Sequence, residues 1–461
     1  MKFQIEVVFI NEDGRKQRRK VTQFERKQLV METLGLSLTE SKSILENIQD
    51  FVIDKQVMED LDRRRTCPVC QERFTSKGQG TTPVKTIFGV VQIPNPRWNS
   101  CSCKNSQKTF RPVSSWLQGG RTPELLYLET KWSSLIPYTK VADLLKDVLP
   151  VGQTTNKVTI RQHLHAVAER MEEELGEEKP HIFAGTSENG APQSLPDGPM
   201  TVGIDGGYVR AAHKQGCFEV IAGKSKVSFR RGSDESPPTK CFGFVQTYDE
   251  KPRRRIWEVL KSQGMQENQS VVFLSDGGED VRQVQEYLQP FSEHYIDWFH
   301  ITMRLTVLQQ QTKTLISEQV EDAPAFSRQL ESIKHYLWHG NVEEALDRLE
   351  NLILDLDLIQ SSSVTLKKFK ARIDEFDTYI RNNQEYIPNF GEKYRNGETI
   401  STAFVESTIN QVVSRRFVKK QQMQWTLRGA HLLLQTRTKV LNRELGGVFK
   451  KWYPEIQTQA A

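Results

Sequence analysis

MTVGIDGGYVR, residues 200–210, is the stretch on which the fold turns. A short apolar run ends in Asp205, and two glycines follow it. SVVFLSDGG at 270–278 repeats the pattern: an aliphatic run, then Asp276, then two glycines. Runs of this length bounded by glycine predict buried strands. Glycines beside a strand-end carboxylate let backbone or substrate come close to it. One such aspartate is commonly a turn residue or a cap; two in matching contexts predict a shared site.

Working outward, CFEVIAGKSKVSF (217–229) and KCFGFVQTYD (240–249) are further strand candidates, and KPRRRIWEVLKSQ (251–263) reads as a helix. VRQVQEYLQPF (281–291) reads as another helix, and EHYIDWFHI (293–301) as a last strand. Three strands, then helix–strand–helix–strand, is the layout of an RNase H-like α/β core, although other α/β domains share a similar order. This core is expected over residues 200–301 and 396–440. Between them, 302–395 reads as an all-α insertion, with Phe326, Leu330, Ile333 and Leu337 on one helical stripe and Leu346, Leu349 and Ile353 on the next. Gly340 can end the first of these helices, and Asn341 with Glu344 can cap the second. Two more helices are expected over 402–419 and 425–443.

Toward the N-terminus, residues 177–199 are rich in Gly, Pro, Ser and charge and read as a linker. Residues 116–176 predict three short helices compatible with a helix-turn-helix-like DNA-binding domain. Its third helix, with Arg161, His163 and His165, is either a recognition helix or part of a plain bundle, and Tyr138 lies in the same domain. Residues 61–115 hold Cys67 and Cys70 as CxxC and Cys101 and Cys103 as CxC, with short strand candidates between. Four thiolates at this spacing predict a structural Zn²⁺ in a β-ribbon. Cys217 and Cys241 stand singly in strand-like segments and read as core residues. Residues 1–60 open with a strand-like run and predict two helices over 23–34 and 37–56, with Gly35 ending the first and Thr39 or Ser41 capping the second. Residues 441–461 read as a tail.

The chemistry expected of the core is acidic. Glu406 opens the helix ISTAFVESTINQVVSRR, and Asn410 falls one turn later on the same face. Asp205, Asp276 and Glu406 form an all-oxygen set suited to Mg²⁺ or Mn²⁺. A pair of such ions can serve phosphodiester chemistry. Asp297, three residues before His300, is an alternative second carboxylate or a supporting residue; His300 can be a phosphate ligand, a general base or a structural histidine.

The 461-residue chain carries a net charge of only +5. That alone does not indicate nucleic acid. Its basic residues are clustered, however, at 15–20, 63–65, 251–255, 367–372 and 415–420, and spaced patches suit a long polyanion. Arg161, Arg415, Arg416, Lys419 and Lys420 are the candidate DNA contacts. Phe417 and Trp425 beside them can stack on a base, though core packing is the ordinary role. No uninterrupted apolar run long enough for a membrane span and no secretory signal pattern is present, so no membrane partner is expected, and a cytoplasmic, nucleoid-associated protein is.

Taken together, GIDGGYVR, FLSDGG, IDWFHI…MR and TAFVESTINQVVSRRFVKKQQMQW resemble the DDE transposases of bacterial insertion sequences, especially the ISKra group, which is related to Mutator-like elements. The resemblance spans about residues 200–435, with the cysteine-rich and helical segments as further support. It implies an RNase H-like fold with a helical insertion before the catalytic glutamate, and Asp205, Asp276 and Glu406 as the metal-binding triad. It implies double-stranded DNA partners, the element's terminal inverted repeats and its target, and a homodimer or larger assembly. His300 sits where related families carry a C-x-x-H or D-x-F-H element. Asp297 occupies the first position of that element here. Two other readings fit the same residues: an RNase H-like nuclease or resolvase without strand transfer, and a domesticated, catalytically inactive DNA-binding protein. A zinc-ribbon transcription regulator would leave the α/β half unexplained.

Overall fold

The computed structural model describes residues 1–101, 103, 108–117, 119–152, 155–178, 199–212, 216–227, 239–265, 269–277, 292–320, 322–359, 363–401, 403–418 and 423–457, with the backbone alone at 403, 404, 406 and 418. Two compact units result, Met1–Ala168 with Arg443–Ala461, and Glu169–Asn442. The expected helix over 281–291 and nearly all of the expected linker lie outside the described residues.

In the first unit, β1 (Lys2–Ile10) and β2 (Lys16–Glu25) form an antiparallel ribbon. The helix expected over 23–34 is therefore absent, and only one 3₁₀ turn, Met31–Thr33, follows the ribbon. Alternation explains the difference: Val21 turns inward while Lys20 beside it stays exposed, a period of two that the helix reading overlooked. Helix α1 (Leu38–Arg63) starts one turn earlier than its proposed caps imply. Ser37 and Glu40 close a reciprocal capping box there, in place of Thr39 or Ser41.

Five short strands follow: β3 (Ser76–Gly78), β4 (Thr81–Thr86), β5 (Gly89–Pro94), β6 (Arg97–Asn99) and β7 (Thr109–Phe110). They pair as a three-stranded β3-β6-β7 sheet and a β4-β5 hairpin. Phe74, Ile93, Trp98 and Val113 pack there with Leu61 of α1 and with Cys67 and Cys101. Three helices appear where the sequence predicts them, α2 (Pro123–Leu135), α3 (Tyr138–Val148) and α4 (Lys157–Leu175). Asn156 Oδ1 accepts from the N–H groups of Val158 and Thr159 and so caps the start of α4. The segment read as a tail forms a helix, Leu445–Trp452, whose Phe449 packs edge-on against Tyr127 of α2.

The second unit is built on a mixed five-stranded sheet of β8 (Met200–Arg210), β9 (Cys217–Lys226), β10 (Thr239–Val245), β11 (Val271–Ser275) and β12 (Ser292–Ile296). Their order across the sheet is β10-β9-β8-β11-β12. The first three form an antiparallel meander, and β11 runs parallel to both β8 and β12. Helix α5 (Pro252–Ser262) covers one face: its Ile256 and Leu260 pack with Met200, Val202 and Ile204. Cys241 is buried in β10 as expected, but Cys217 is exposed at the start of β9.

The last predicted strand stops at Ile296. Asp297 then caps α6 (Trp298–Ser317), its carboxylate accepting from Phe299 N at 2.8 Å, so the aromatic run WFHI is helical. The segment beyond is all helix: α7 (Ala323–Trp338), α8 (Val342–Leu358), α9 (Val364–Asn382) and α10 (Phe390–Arg395). Phe326, Leu330, Ile333 and Leu337 share one core with Leu349, Phe369 and Phe376. Gly340 ends α7 at φ 74°, where an added Cβ would meet backbone of Asn389 at 3.0 Å. Asn341 stands at the start of α8 without a side-chain cap bond, so the expected Asn341–Glu344 pair is not formed.

Helix α11 (Ala403–Ile409) is continued by a π-helix, Asn410–Val418, rather than by a regular α-helix. The wider π turn leaves carbonyls to be satisfied from outside. Buried Arg437 of α12 (Leu427–Leu441) donates to the carbonyls of Gln411 and Val412. No described helix is long and apolar enough to cross a membrane.

Candidate active site and cysteine cluster

The strand registers align three aspartates. Leu274 of β11 pairs with Gly203 of β8, so two residues further on Asp276 stands level with Asp205. Ser275 pairs with Ile296 of β12, so one residue further on Asp276 also stands level with Asp297. Asp205, which lies within β8 rather than at its end as the sequence reading had it, and Asp276 and Asp297, each one residue past its strand, thus fall in one row across three adjacent parallel strands, where neighbouring strands lie about 4.8 Å apart.

The row is anchored from both sides. Asp205 lies on the sheet face opposite α5, because side chains alternate and Ile204 faces that helix. Two residues along the same face is Gly207, where an added Cβ would meet Ile409 at 3.5 Å and Val413 at 3.6 Å. The helix that carries Glu406 therefore packs directly over the end of the aspartate strand. The side chain of Glu406 itself lies outside the described residues. Gly277 has φ 98°, and a Cβ there would strike Asn383 Oδ1 at 2.5 Å. The end of α9 is thereby held against the residue that follows Asp276.

Electrostatics tie the row together. Burial pushes the Asp205 carboxyl above its ordinary value; the Gly206 N–H and the nearby His300 oppose this, and Asp276 and Asp297 add to it. The three carboxylates differ in setting. Asp205 is half-buried and Asp276 exposed, whereas Asp297 is fully buried and committed to its cap. His300, on the first turn of α6, has Nε2 3.7 Å from Asp297 Oδ2. The sequence left Asp276 and Asp297 as rivals; the first is exposed and the second buried.

Two residues beside the row were not assigned from sequence. Arg304 follows His300 by one helical turn, and its guanidinium lies 4.2 Å from the ring centroid of Tyr379. Tyr379 precedes Asn383 by one turn, and Asn383 Nδ2 donates to its carbonyl at 2.8 Å. Burial, with Asp276 and Asp297 adding to it, raises the Tyr379 hydroxyl well above the usual tyrosine range. Both residues come from the helical insertion, and only tertiary packing brings them here. The arginine in the quoted IDWFHI…MR segment was the one available signal.

Among the described residues, two groups place three or more potential ligand atoms within 4.8 Å of one another. The aspartate row is not one of them, with Glu406 outside the count. The first is the predicted quartet Cys67, Cys70, Cys101 and Cys103. Cys103 Sγ lies 3.6 Å from Cys67 and Cys70 and 3.0 Å from Cys101. Sulfurs around a tetrahedral zinc, each about 2.3 Å from it, stand about 3.8 Å apart, so the donor set suits zinc. Backbone N–H groups of Cys70 and Val69 hold the Cys67 thiol down at about 6, while its thiol neighbours, Cys101 first, push Cys103 up.

The second group, Glu172, Asp249 and His431, has its cation built in. Arg255, fully enclosed, bonds both oxygens of Glu172 at 2.8 and 2.9 Å and both of Asp249 at 2.9 Å, and Gln435 at 2.6 Å. Burial would raise the Glu172 carboxyl, but bonds from His431 and Arg255 overcome that and hold it at about 2. The sequence placed Arg255 in a basic patch; it is an internal tie instead.

The candidate DNA contacts divide. Arg161 and Arg415 are exposed. Arg416 is fully buried, its guanidinium 5.2 Å from the Trp425 ring centroid, so it offers no surface to a phosphate. Lys419 and Lys420 lie outside the described residues. Asn410 opens the π-helix. Phe417 and Trp425 are buried against each other, which is core packing. His163 is also internal, bonded to Glu129. Comparison with known protein families and with curated proteins gave no match.

Proposed function

We propose that the chain is a DNA transposase of the DDE type, with its second unit an RNase H-like core interrupted by a helical insertion. The observation that carries this reading is the single row of Asp205, Asp276 and Asp297 beneath the helix of Glu406. Carboxylates gathered in one row repel one another, although Asp297 also serves as the α6 cap. They make sense as a receptor for cations. An exposed Asp276 beside a half-buried Asp205 is a hard, oxygen-only donor set, which fits Mg²⁺ or Mn²⁺.

Asp205, Asp276 and Glu406 would hold the metal, which when bound supplies Lewis-acid stabilisation of attacking and leaving oxygens at phosphorus. Asp297 takes the supporting role. Its carboxylate fixes the start of α6 and faces the His300 imidazole, which can then take or give a proton, or bond a phosphate, at the rim of the row. Strand transfer follows as the reaction: a cut at the element's end leaves a 3′-hydroxyl, which attacks a phosphodiester of target DNA in line. The cysteine quartet holds a structural Zn²⁺ in this reading, and the ribbon and helices α2–α4 recognise the terminal repeats as part of a dimer or larger assembly.

The test is strand transfer with purified protein, Mg²⁺ and labelled duplexes from the DNA flanking the coding sequence. Joined products should form with the wild type and vanish with Asp205→Ala, Asp276→Ala and Glu406→Ala. Cleavage without joining would identify a nuclease or resolvase. Binding without any cleavage would leave a DNA-binding protein and end the enzyme reading.

A further inference from the structure

Three side chains from the insertion ring the aspartate row without belonging to it. Starting at Asp297, His300 and Arg304 follow at steps of three and four along α6 and so share a face. Arg304 is exposed, lies over the Tyr379 ring, and makes no ion pair among the described residues. The Tyr379 hydroxyl is buried and has no hydrogen-bond partner among the described residues. Asn383, one turn on, abuts Gly277 and so fixes Tyr379 next to Asp276.

The Tyr379 hydroxyl is a poor choice for stability, whereas the exposed Arg304 guanidinium is open to water. A buried donor left unmade is costly, and phenylalanine would fill the same space. Both can donate a hydrogen bond. Arg304 also lines a cleft of about 160 Å³ between α6 and α9, with Met303, Val307, Arg372, Glu375 and Phe376.

We propose that Arg304 and Tyr379 form a phosphate receptor for the DNA backbone next to the scissile bond. The guanidinium turns off the ring to pair with two non-bridging oxygens, as arginine's planar fork allows. That movement uncovers the Tyr379 hydroxyl, which donates to the same phosphate. The helical insertion thereby supplies positive potential to a site whose own residues are acidic. This inference rests on the phosphodiester reading of the row.

Single-turnover cleavage of a labelled duplex separates the two ideas. Arg304→Gln should lower the rate about a hundredfold at saturating Mg²⁺ and raise the duplex concentration needed for half-maximal rate, with Arg304→Lys recovering only part of it. Tyr379→Phe keeps the ring and loses the oxygen; it should melt no lower than wild type yet cleave at least tenfold more slowly. A merely structural tyrosine would give full activity in that variant, and full activity in Arg304→Gln would likewise overturn the receptor while leaving the enzyme reading intact. A wild type that cleaves nothing removes both.

Discussion

The second unit contains two acidic clusters, and they are built in opposite ways. At Glu172, Asp249 and His431 the protein supplies its own cation, with Arg255 bonding every carboxylate oxygen. At Asp205, Asp276 and Asp297 the contacts include the Asp297 cap, the Gly206 N–H on Asp205 and a half-exposed histidine nearby. The first cluster is closed and neutralised; the second keeps an exposed carboxylate and a raised one. Proximity of acids to each other therefore says little about function. At the first cluster the counter-charge is a buried arginine of the chain itself. The cluster that looks most like a metal centre by ligand distance is the one with least need of a metal.

The sharpest way to break this contrast is to remove carboxylates from each cluster. Asp205→Ala and Asp276→Ala should each cut metal-dependent strand transfer at least about a thousandfold, or about 4 kcal/mol of transition-state stabilisation, while the denaturant midpoint stays level or rises. A lowered midpoint with activity retained would make the row structural. Arg255→Met should do the reverse, costing about 3–5 kcal/mol because two buried carboxylates lose their partner, as read by urea unfolding.

Acid should separate the clusters by sign. The Glu172 carboxyl sits at about 2, below its ordinary 4.5. Its contribution is thus complete above pH 4.5 and is lost as pH falls toward 2, a difference of about 3 kcal/mol. Glu172→Gln should flatten the stability profile in that window. Asp205 is raised, so its ionisation works against folding, and acidification through its folded value relieves the strain. Asp205→Asn should remove that relief. The smallest effect expected is at Asp297. Asp297→Ala should lower stability by about 1 kcal/mol through loss of the α6 cap, and Asp297→Asn, which can still accept from Phe299 N, should restore most of it.

Much of this was legible because it depends on local order. The strands carrying or leading to Asp205 and Asp276, helices α2–α4, and the cysteine quartet follow from apolar period, glycine position and thiol spacing, although β8 runs on to Arg210 where the sequence reading ended it at Asp205. The misses share a cause. KQRRKVTQFE carries a mixed pattern that a partner strand resolves as β, and no partner is visible from the segment alone. Asp297 reads equally well as a strand end or a cap, until its carboxylate is seen to meet Phe299 N. Arg255 and Arg416 sit in basic runs that look like solvated faces, yet burial with Glu172 and Asp249 in one case and beside Trp425 in the other changes their meaning.

The sequence by itself determined which residues could do chemistry: carboxylates after apolar runs, four cysteines at ligand spacing, and glycines where close approach is needed. Side-chain type and local period are properties of short segments, so they survive without a fold. Tertiary structure alone decided the register that puts three aspartates in one row, the pairing that silences Arg255, and the packing that brings Arg304 and Tyr379 from the insertion to its edge. Those are contacts between residues far apart in the chain, and charge, burial and partner are defined only once the chain has closed on itself.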